Sequence, residues 1–189
     1  KYKKNKIKIY KKIIDLLIKI QNIKTKKIKN FQGKIYKIPN YSNKKLFNEA
    51  KLFCDWYLPA NYKKNKTQLR KQLELKIKAL LSNLKQKNKV FVHRDFHLAN
   101  LMITKHQLGI IDSQDAVLGN SAYDLASLID DVRYVTSNKL KKNIYSIYSK
   151  KTKNSLNKSF LNDFEILSVL RNLKIIGIFT RLAKRDNKK

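Results

Sequence analysis

Cysteine is almost missing from this 189-residue chain, and no long apolar run occurs in it. The single cysteine, Cys54, cannot form a disulfide within the chain, so a reducing compartment is expected. The longest apolar stretches, residues 13–20 and 175–183, are short and carry charged side chains, so neither can span a bilayer. The basic residues 1–12 are not followed by the apolar region of a signal peptide. We therefore expect a cytoplasmic protein with no membrane partner.

Glycine and proline are also scarce, with four and two residues respectively. Both residue types interrupt helices, so their scarcity favours a mostly helical chain. Hydrophobic residues make up 42% of the sequence, which is enough for a packed core. Because the sequence contains neither an internal repeat nor a long flexible linker, we expect residues 1–189 to form a single domain.

Acidic residues are few, since 13 Asp and Glu oppose 44 Lys and Arg to give a net charge of +31. Such a charge can indicate a nucleic-acid-binding protein. Lysine, however, far outnumbers arginine and lies in nearly every segment, whereas nucleic-acid surfaces usually use arginine and concentrate their charge on one face. The favoured interpretation is a solvated lysine surface with no nucleic-acid partner. A basic, catalytically silent fragment on RNA or a membrane surface stays as the alternative.

Apolar residues at helical spacing predict three helices in the first half of the chain, over residues 7–22, 42–58 and 67–86. Ser42 is placed to cap the second helix, and Pro59 is placed to stop it at Leu58. Between the first and second helices, residues 23–43 predict a loop.

The pattern changes near residue 89, where β-prone residues begin. Three short runs of them occupy residues 89–93, 101–104 and 108–112. They predict a strand, a loop and a hairpin whose strands are joined by residues 105–107. Helices are expected to resume at Ser121 and to continue in pieces to Lys184. The predicted fold class is therefore α+β and mostly α.

Residues 93–100 read HRDFHLAN and match the catalytic-loop pattern of kinases. In that pattern Asp95 reaches the hydroxyl that accepts the phosphoryl group, and Asn100 reaches a metal ion on the nucleotide phosphates. Asp112 closes the second predicted hairpin strand, where its carboxylate can bind Mg²⁺. Because the three residues supply one proton acceptor and two metal ligands, together they predict phosphoryl transfer.

Three segments around this loop resemble aminoglycoside phosphotransferases and choline-kinase-like enzymes, namely residues 90–100, 110–116 and 119–126. Within that superfamily they look most like bacterial kinases that phosphorylate cell-wall amino sugars at the anomeric hydroxyl. Residues 47–58 and 170–183 resemble helices that flank the core of those sugar kinases.

The resemblance implies that Asp95 is the catalytic base and that Asn100 and Asp112 hold Mg²⁺ together with ATP or another nucleoside triphosphate. It implies a small-molecule substrate, namely an amino sugar of cell-wall recycling. One position departs from the family, because Ser113 stands where Phe usually follows the metal-binding Asp. A phenylalanine there packs the carboxylate into place, so looser metal geometry is expected.

Kinases of this type also have an upstream lobe with a sheet, a loop over the phosphates and a lysine that pairs with them. Residues 1–88 predict helix and loop, with no lysine in a convincing strand before Glu49. The resemblance therefore implies the C-terminal lobe of a protein-kinase-like fold with a short catalytic β-hairpin. We expect that the nucleotide-clamping lobe is absent, that the C-terminus is truncated, and that this fragment alone is a poor ATP binder.

Several side chains near the motif have two interpretations. Asp124 follows Ser121 at capping-box spacing, but it also resembles the acid that anchors the catalytic loop in kinase-like folds. Arg94 and His97 are expected to brace the loop rather than to take part in chemistry. The adjacent Asp130 and Asp131 either line a substrate cleft or face water.

Other classes of kinase substrate fit the sequence less well than a sugar. A protein kinase is disfavoured, because too few residues lie between Asp112 and the helix at Ser121 for an activation segment. An aminoglycoside or choline kinase is the runner-up, although a cationic substrate would need a more acidic cleft than the sequence contains. The sequence leaves the oligomeric state open.

Overall fold

A computed structural model of the chain describes residues 2–86, 89–104, 107–134, 136–154 and 156–185. These parts are mostly helical and contain three small antiparallel sheets of two strands each. The predicted α+β, mostly α class is thereby confirmed. Within the described parts, no helix is both long enough and apolar enough to cross a membrane.

The first helix, α1, spans Tyr2–Gln21 and begins earlier than the predicted residue 7. Its buried face carries Ile13, Ile14 and Leu17, each at most 2% exposed. The opposite face is rich in lysine, as expected for an amphipathic surface helix.

The segment predicted as a loop instead contains a hairpin of strands β1, Lys27–Lys29, and β2, Ile35–Lys37. The turn explains the difference. The Asn30 side chain accepts hydrogen bonds from the backbone N–H groups of Gln32 and Lys34, and Gly33 supplies a φ of 81°. The expectation that no lysine lies in a strand before Glu49 is therefore wrong. All six strand residues are exposed, so the hairpin adds nothing to the core.

The second helix, α2, spans Asn43–Ala50, and the Ser42 hydroxyl caps it by accepting from the Lys45 N–H. The chain then forms a π-helical turn, Phe53–Tyr57, and a short helix α3, Leu58–Asn61. The prediction that Pro59 stops the helix at Leu58 is wrong. Pro59 lies in the first turn of α3, where its missing N–H leaves no hydrogen bond unmade.

Helix α4, Lys66–Ser82, ends four residues before its predicted end and leads into the β-prone region. There the strands are β3, Val90–Val92; β4, Leu101–Ile103; and β5, Leu108–Ile110. Strands β4 and β5 form the predicted hairpin, and two of its three connecting residues, 105 and 106, lie outside the described residues. Sequence reasoning missed β6, Val117–Gly119, which pairs antiparallel with β3. Its three residues are too few to give a period.

Helices resume as predicted with α5, Ala122–Ile129; α6, Asn138–Lys151; and α7, Lys158–Arg185. Every residue of α5 is buried, so this helix forms the centre of the core. Helix α7 packs on α5, on α2 and on the π-helical turn. The last contact is close, because a Cβ at Gly177 would lie 2.4 Å from the Leu52 carbonyl carbon. The core therefore presents one face of α7 to the loop that follows β3.

Candidate active site

The loop that carries Asp95 leaves β3 and is held at its start by Asp124 on the buried helix α5. The two carboxylate oxygens of Asp124 accept the backbone N–H groups of His93 at 2.7 Å and Arg94 at 3.0 Å. Burial raises the pKa of Asp124 to about 7, although the two N–H groups act in the opposite direction. Of the two interpretations of Asp124, the structure supports the one in which it anchors the loop.

The capping interpretation of Asp124 fails because the start of α5 is organised differently. Ser121 makes no side-chain capping bond, whereas the Asn120 side chain accepts from the Ala122 N–H at 3.0 Å. Asn120 is in turn bound to Asp163 of α7 at 2.7 Å. The helix start is therefore fixed by Asn120, which leaves both oxygens of Asp124 available to the loop.

Arg94 adopts a left-handed conformation with a φ of 75°, which is uncommon for a residue other than glycine. Its guanidinium binds the Glu49 carboxylate at 2.5 Å and donates to the Asp115 carbonyl oxygen at 3.3 Å. It also lies over the Tyr41 ring, 5.3 Å from the ring centroid. Arg94 thus braces the loop from outside, as expected from the sequence.

His93 connects the catalytic loop to the segment that carries Asp112. Its side chain is buried, and Nε2 lies 3.1 Å from the Ile111 carbonyl oxygen. Burial lowers the pKa of His93, so the ring is neutral and the proton belongs on Nε2, where it can be donated to that oxygen. His97 is also buried, and burial likewise lowers its pKa, which suits a bracing residue better than a proton carrier.

The two acids at the end of α5 have different partners, and neither simply faces water. Asp131 is 6% exposed, and its carboxylate accepts the Leu98 N–H of the catalytic loop at 3.3 Å. Asp130 pairs with Lys141 of α6 at 2.6 Å and also accepts from the Ser168 hydroxyl of α7. Asp131 is therefore a second internal support of the loop, and Asp130 joins three helices.

Asp95 is half-buried and faces a small pocket between the catalytic loop and α7. The volume of the pocket is about 60 Å³. Its other lining residues are cationic or apolar, namely Arg94, Arg133, Arg171, Lys174, Ile175, Ile178 and Phe179. Asp95 is thus the acidic group of a mainly basic pocket.

Asn100 is fixed to Asp95 and to the next strand. Its side-chain Nδ2 donates to the Asp95 carbonyl oxygen at 3.0 Å, which leaves Oδ1 free to act as a ligand. Its own carbonyl oxygen accepts the Ile111 N–H at 3.0 Å, continuing the register in which Leu101 pairs with Ile110. Asp112 therefore follows directly on the residue opposite Asn100.

Asp112 lies in a less supported position than the sequence predicted. It does not close β5, because that strand ends at Ile110 and the chain then turns. Asp112 is exposed, has a φ of 68°, and accepts from the Gln114 side chain at 2.6 Å through Oδ1. Ser113 is exposed as well, so no apolar side chain at that position covers the carboxylate.

Asn100 and Asp112 both lie at the open end of the β4–β5 hairpin, and they offer an amide oxygen and a carboxylate, which are ligand types that Mg²⁺ accepts. Among the described residues, no group of three or more His, Cys, Asp and Glu side chains could hold a metal ion by itself. The donor set suits a metal whose remaining ligands come from nucleotide phosphates and water.

Four polar residues around the loop were not recognised from the sequence as parts of a site: Glu49, Arg133, Arg171 and Lys174. Glu49 accepts hydrogen bonds from Arg94, Lys174 and Tyr41. One signal could have found it, since an acid between the apolar residues Phe47 and Ala50 is conspicuous in a chain with 13 acidic and 44 basic residues. The three cations carry no such signal, because the rest of the chain is equally basic.

The chain is similar to three curated bacterial proteins, each described as an N-acetylmuramate/N-acetylglucosamine kinase. Identity is 33% to the protein of Neisseria meningitidis serogroup B and 29% to that of Pseudomonas aeruginosa, in both cases over 80% of this chain and 47% of the relative. Identity to the Caulobacter vibrioides protein is 27%, over 95% of this chain and 51% of the relative. The chain therefore spans about half the length of the curated relatives it matches.

A family model agrees with both the loop geometry and these similarities. The model described as the phosphotransferase enzyme family, APH, matches residues 3–144. That match includes the catalytic loop, the hairpin, Asp112 and the Asp124 anchor, and it covers well over half of the chain. The chain belongs to the phosphotransferase enzyme family.

Proposed function

We propose that this chain is the catalytic, C-terminal lobe of a kinase that transfers the γ-phosphoryl group of ATP to a hydroxyl of an amino sugar. One observation carries the proposal: Asn100 is hydrogen-bonded to the backbone of Asp95 and to the residue before Asp112. A proton acceptor and two oxygen ligands are thereby held on one loop and one hairpin, which is the arrangement that phosphoryl transfer needs.

Asp95 is the proposed base because it combines a half-buried position with access to the pocket beside α7. Its carboxylate would accept the proton of the sugar hydroxyl and orient that oxygen toward the γ-phosphorus. Since phosphoryl transfer passes through a loose transition state, orientation contributes as much as proton removal. The backbone bonds of the loop to Asp124 and Asp131 keep the carboxylate oriented before the substrate arrives.

Asn100 and Asp112 are the proposed Mg²⁺ ligands, through oxygens that their protein contacts leave free. The Asn100 amide nitrogen is used by the Asp95 carbonyl, and Gln114 occupies only Oδ1 of Asp112. A magnesium ion bound there would neutralise charge on the nucleotide phosphates. The residues present therefore fit the ion.

We further propose that most groups clamping the nucleotide lie outside the lobe formed by these 189 residues. Strands β1 and β2, ahead of α2, are three residues long and exposed, so their two-stranded sheet is too small to cover phosphates. Calorimetry should find Mg-ATP binding to the 189-residue chain at least about tenfold weaker than to the uninterrupted open reading frame that contains it. Equal affinities would contradict this assignment.

The proposed acceptor is an N-acetylated amino sugar, the substrate class after which the three relatives are named, with the anomeric hydroxyl as the reacting group. N-acetylmuramate carries a carboxylate, which suits a pocket with Arg133, Arg171 and Lys174 around Asp95. A pocket lined by these cations disfavours aminoglycosides and choline, which are themselves cationic. Arg133 is 45% exposed and therefore available to a ligand.

The test is a panel of acceptors assayed with Mg-ATP, using both the 189-residue chain and the uninterrupted reading frame. We expect phosphorylation of N-acetylmuramate and N-acetylglucosamine, with no turnover of kanamycin or choline. Arg133→Ala should raise KM for N-acetylmuramate by about three- to tenfold and leave KM for N-acetylglucosamine nearly unchanged. Turnover of the cationic acceptors in preference to the sugars would overturn the assignment.

The proposed compartment is the cytoplasm. Cys54 is buried and unpaired, as in a reducing environment, and ATP is a cytoplasmic substrate. Fractionation of the tagged protein with the membrane would contradict this placement.

A further inference from the structure

Glu49 on α2 is the centre of a polar cluster that the proposed reaction does not use directly. The cluster comprises Tyr41, Glu49, Arg94 and Lys174, which come from the segment before α2, from α2, from the catalytic loop and from α7. Glu49 Oε1 accepts from Arg94 at 2.5 Å. Its Oε2 lies 3.0 Å from Lys174 Nζ and accepts from the Tyr41 hydroxyl at 2.5 Å. The carboxylate thus has three donors on three different segments.

The cluster is shielded from water, so its charges interact strongly. The side chains of Glu49, Arg94 and Lys174 are 19%, 20% and 12% exposed. Burial alone would raise the pKa of Glu49, but Lys174, Tyr41 and Arg94 together hold it below its usual value. Glu49 is therefore an anion near neutral pH, and it faces two cations.

Arg94 needs an anionic partner because it adjoins the proposed catalytic base. It directly precedes Asp95 and holds a left-handed backbone conformation, which persists only where its surroundings enforce it. Its backbone is held by Asp124 and by the Ser127 hydroxyl, which donates to the Arg94 carbonyl oxygen at 3.4 Å. Its guanidinium is held chiefly by Glu49. Because Arg94 and Asp95 are adjacent in the chain, a displacement of that guanidinium would also displace Asp95.

Protein kinases order their activation segments by placing a phosphorylated side chain on arginine. In this chain the nine residues between Asp112 and Ala122 leave no such segment, since three of them form β6. We infer that Glu49 is a permanent anionic partner of Arg94, and that it acts as a positioning residue which keeps Asp95 in its working orientation without phosphorylation. This inference rests on the proposed function.

The first experiment is a double-mutant cycle of Glu49→Gln and Arg94→Gln in the uninterrupted reading frame, assayed with Mg-ATP and N-acetylmuramate. Each single change should lower kcat by about 10- to 100-fold, because a charge-assisted hydrogen bond is lost, and should alter KM by less than about threefold. If Glu49 acts through Arg94, kcat of the double variant should be no lower than kcat of the less active single variant. Losses that multiply would overturn the inference, as would an unchanged kcat in Glu49→Gln.

A conservative variant and a matched control separate positioning from general stability. Glu49→Asp keeps the charge and should recover part of kcat. Glu74→Gln removes another Glu–Arg pair, a more exposed one with Arg70 on α4, and should leave kcat unchanged. Recovery of nothing by Glu49→Asp, or an equal loss in Glu74→Gln, would assign Glu49 a purely structural role. All variants are assayed well below their unfolding temperatures.

Hydrogen exchange gives a reading that does not depend on activity. The N–H groups of His97 and Asn100 are bonded within the loop, to the carbonyls of Asp95 and His97. Their exchange should accelerate at least about tenfold in Glu49→Gln and not in Glu74→Gln. If the parent phosphorylates no sugar but this difference appears, the proposed function fails, and only the support of the loop by Glu49 is retained. If the parent is active and exchange is unchanged, the inference fails alone.

Phosphatase treatment of the parent completes the test. We expect kcat to be unchanged and mass spectrometry to find no phosphorylated residue in the active protein. A loss of kcat after treatment would overturn the inference, because a phosphate would then be doing what is assigned to Glu49.

Discussion

The catalytic loop and the segment around Asp112 are built in different ways, although both are needed for the proposed reaction. The loop is supported by buried or half-buried side chains from four elements: Asp124 and Ser127 on α5, Glu49 on α2, Asp131 after α5, and Lys174 on α7 behind Glu49. Asp112 is exposed, lies past the end of its strand, and has one described side-chain partner, Gln114, which is exposed as well.

The difference shows which parts of the site the protein prepares in advance. The proton acceptor must be oriented before the sugar binds, so its loop is fixed by internal hydrogen bonds. A metal ligand can instead be oriented by the metal, because Mg²⁺ imposes its own octahedral geometry. We therefore expect substitutions around Asp95 to cause severe losses of activity that Mg²⁺ does not restore. Substitutions around Asp112 should cause milder losses that added Mg²⁺ can reverse.

The largest effect is expected for Asp95→Asn. The amide keeps the shape and can still hydrogen-bond the sugar, but it cannot take the proton. Loss of a general base typically costs about 10²–10⁴ in rate, and the loose transition state favours the lower half of that range. Steady-state kinetics should therefore find kcat reduced by about 10²–10³ and KM little changed. A variant that loses sugar affinity and retains kcat would assign Asp95 to binding.

The second-largest effect is expected for Asp124, the anchor of the same loop. In Asp124→Asn one of two buried N–H groups faces an amide NH₂ in place of an acceptor. An unsatisfied buried donor costs about 1–3 kcal/mol, so denaturant titration should find unfolding easier by roughly 2–3 kcal/mol. Asp163→Asn would be a poor control, because Asp163 also accepts buried bonds. Asp15→Asn, at a half-exposed pair with Lys151, should change stability by less than about 1 kcal/mol.

Asp124 should also make stability depend on pH in a direction opposite to that of an ordinary ion-paired acid. Its pKa is raised from 3.8 to about 7, so the folded protein keeps a proton that the unfolded chain releases. The unfolded state then binds fewer protons, and the contribution of Asp124 to stability falls as pH rises from 3.8 to about 7. The difference in unfolding free energy between parent and Asp124→Asn should fall over that interval. A difference that rises with pH would contradict the raised pKa.

The smallest effect is expected for Gln114→Ala, because Gln114 is an exposed partner of the exposed Asp112. Water can replace an exposed amide, so the Mg²⁺ concentration for half-maximal rate should rise by no more than about threefold. If Gln114→Ala instead lowers the free energy of unfolding as much as Asp124→Asn does, the protein and not the metal holds Asp112.

Residue pattern predicted the mostly helical class, the hairpin and the cap at Ser42, because periodicity and turn residues are local signals. It did not predict β6 or the strands β1 and β2, which are three residues each and form through pairing. For the site, the motif predicted Asp95, Asn100 and Asp112, since their spacing along the chain is fixed, and these roles stay predictions. Glu49 and Lys174 were missed, because Glu49 reaches Arg94 from 45 positions away along the chain and Lys174 reaches Glu49 from a helix much later in the sequence. Contacts at such separations follow from helix packing, which no local pattern encodes.

The most direct test of the account compares Asp95→Asn with Asp112→Asn over a series of Mg²⁺ concentrations, with ATP and N-acetylmuramate as substrates. Asp112→Asn removes negative charge from the proposed metal site, so its Mg²⁺ requirement should rise and added Mg²⁺ should recover part of the activity. Asp95→Asn should stay impaired at every concentration, because its defect lies in accepting the proton. If Mg²⁺ restores Asp95→Asn, or if that variant turns over like the parent, the roles assigned to these residues are wrong.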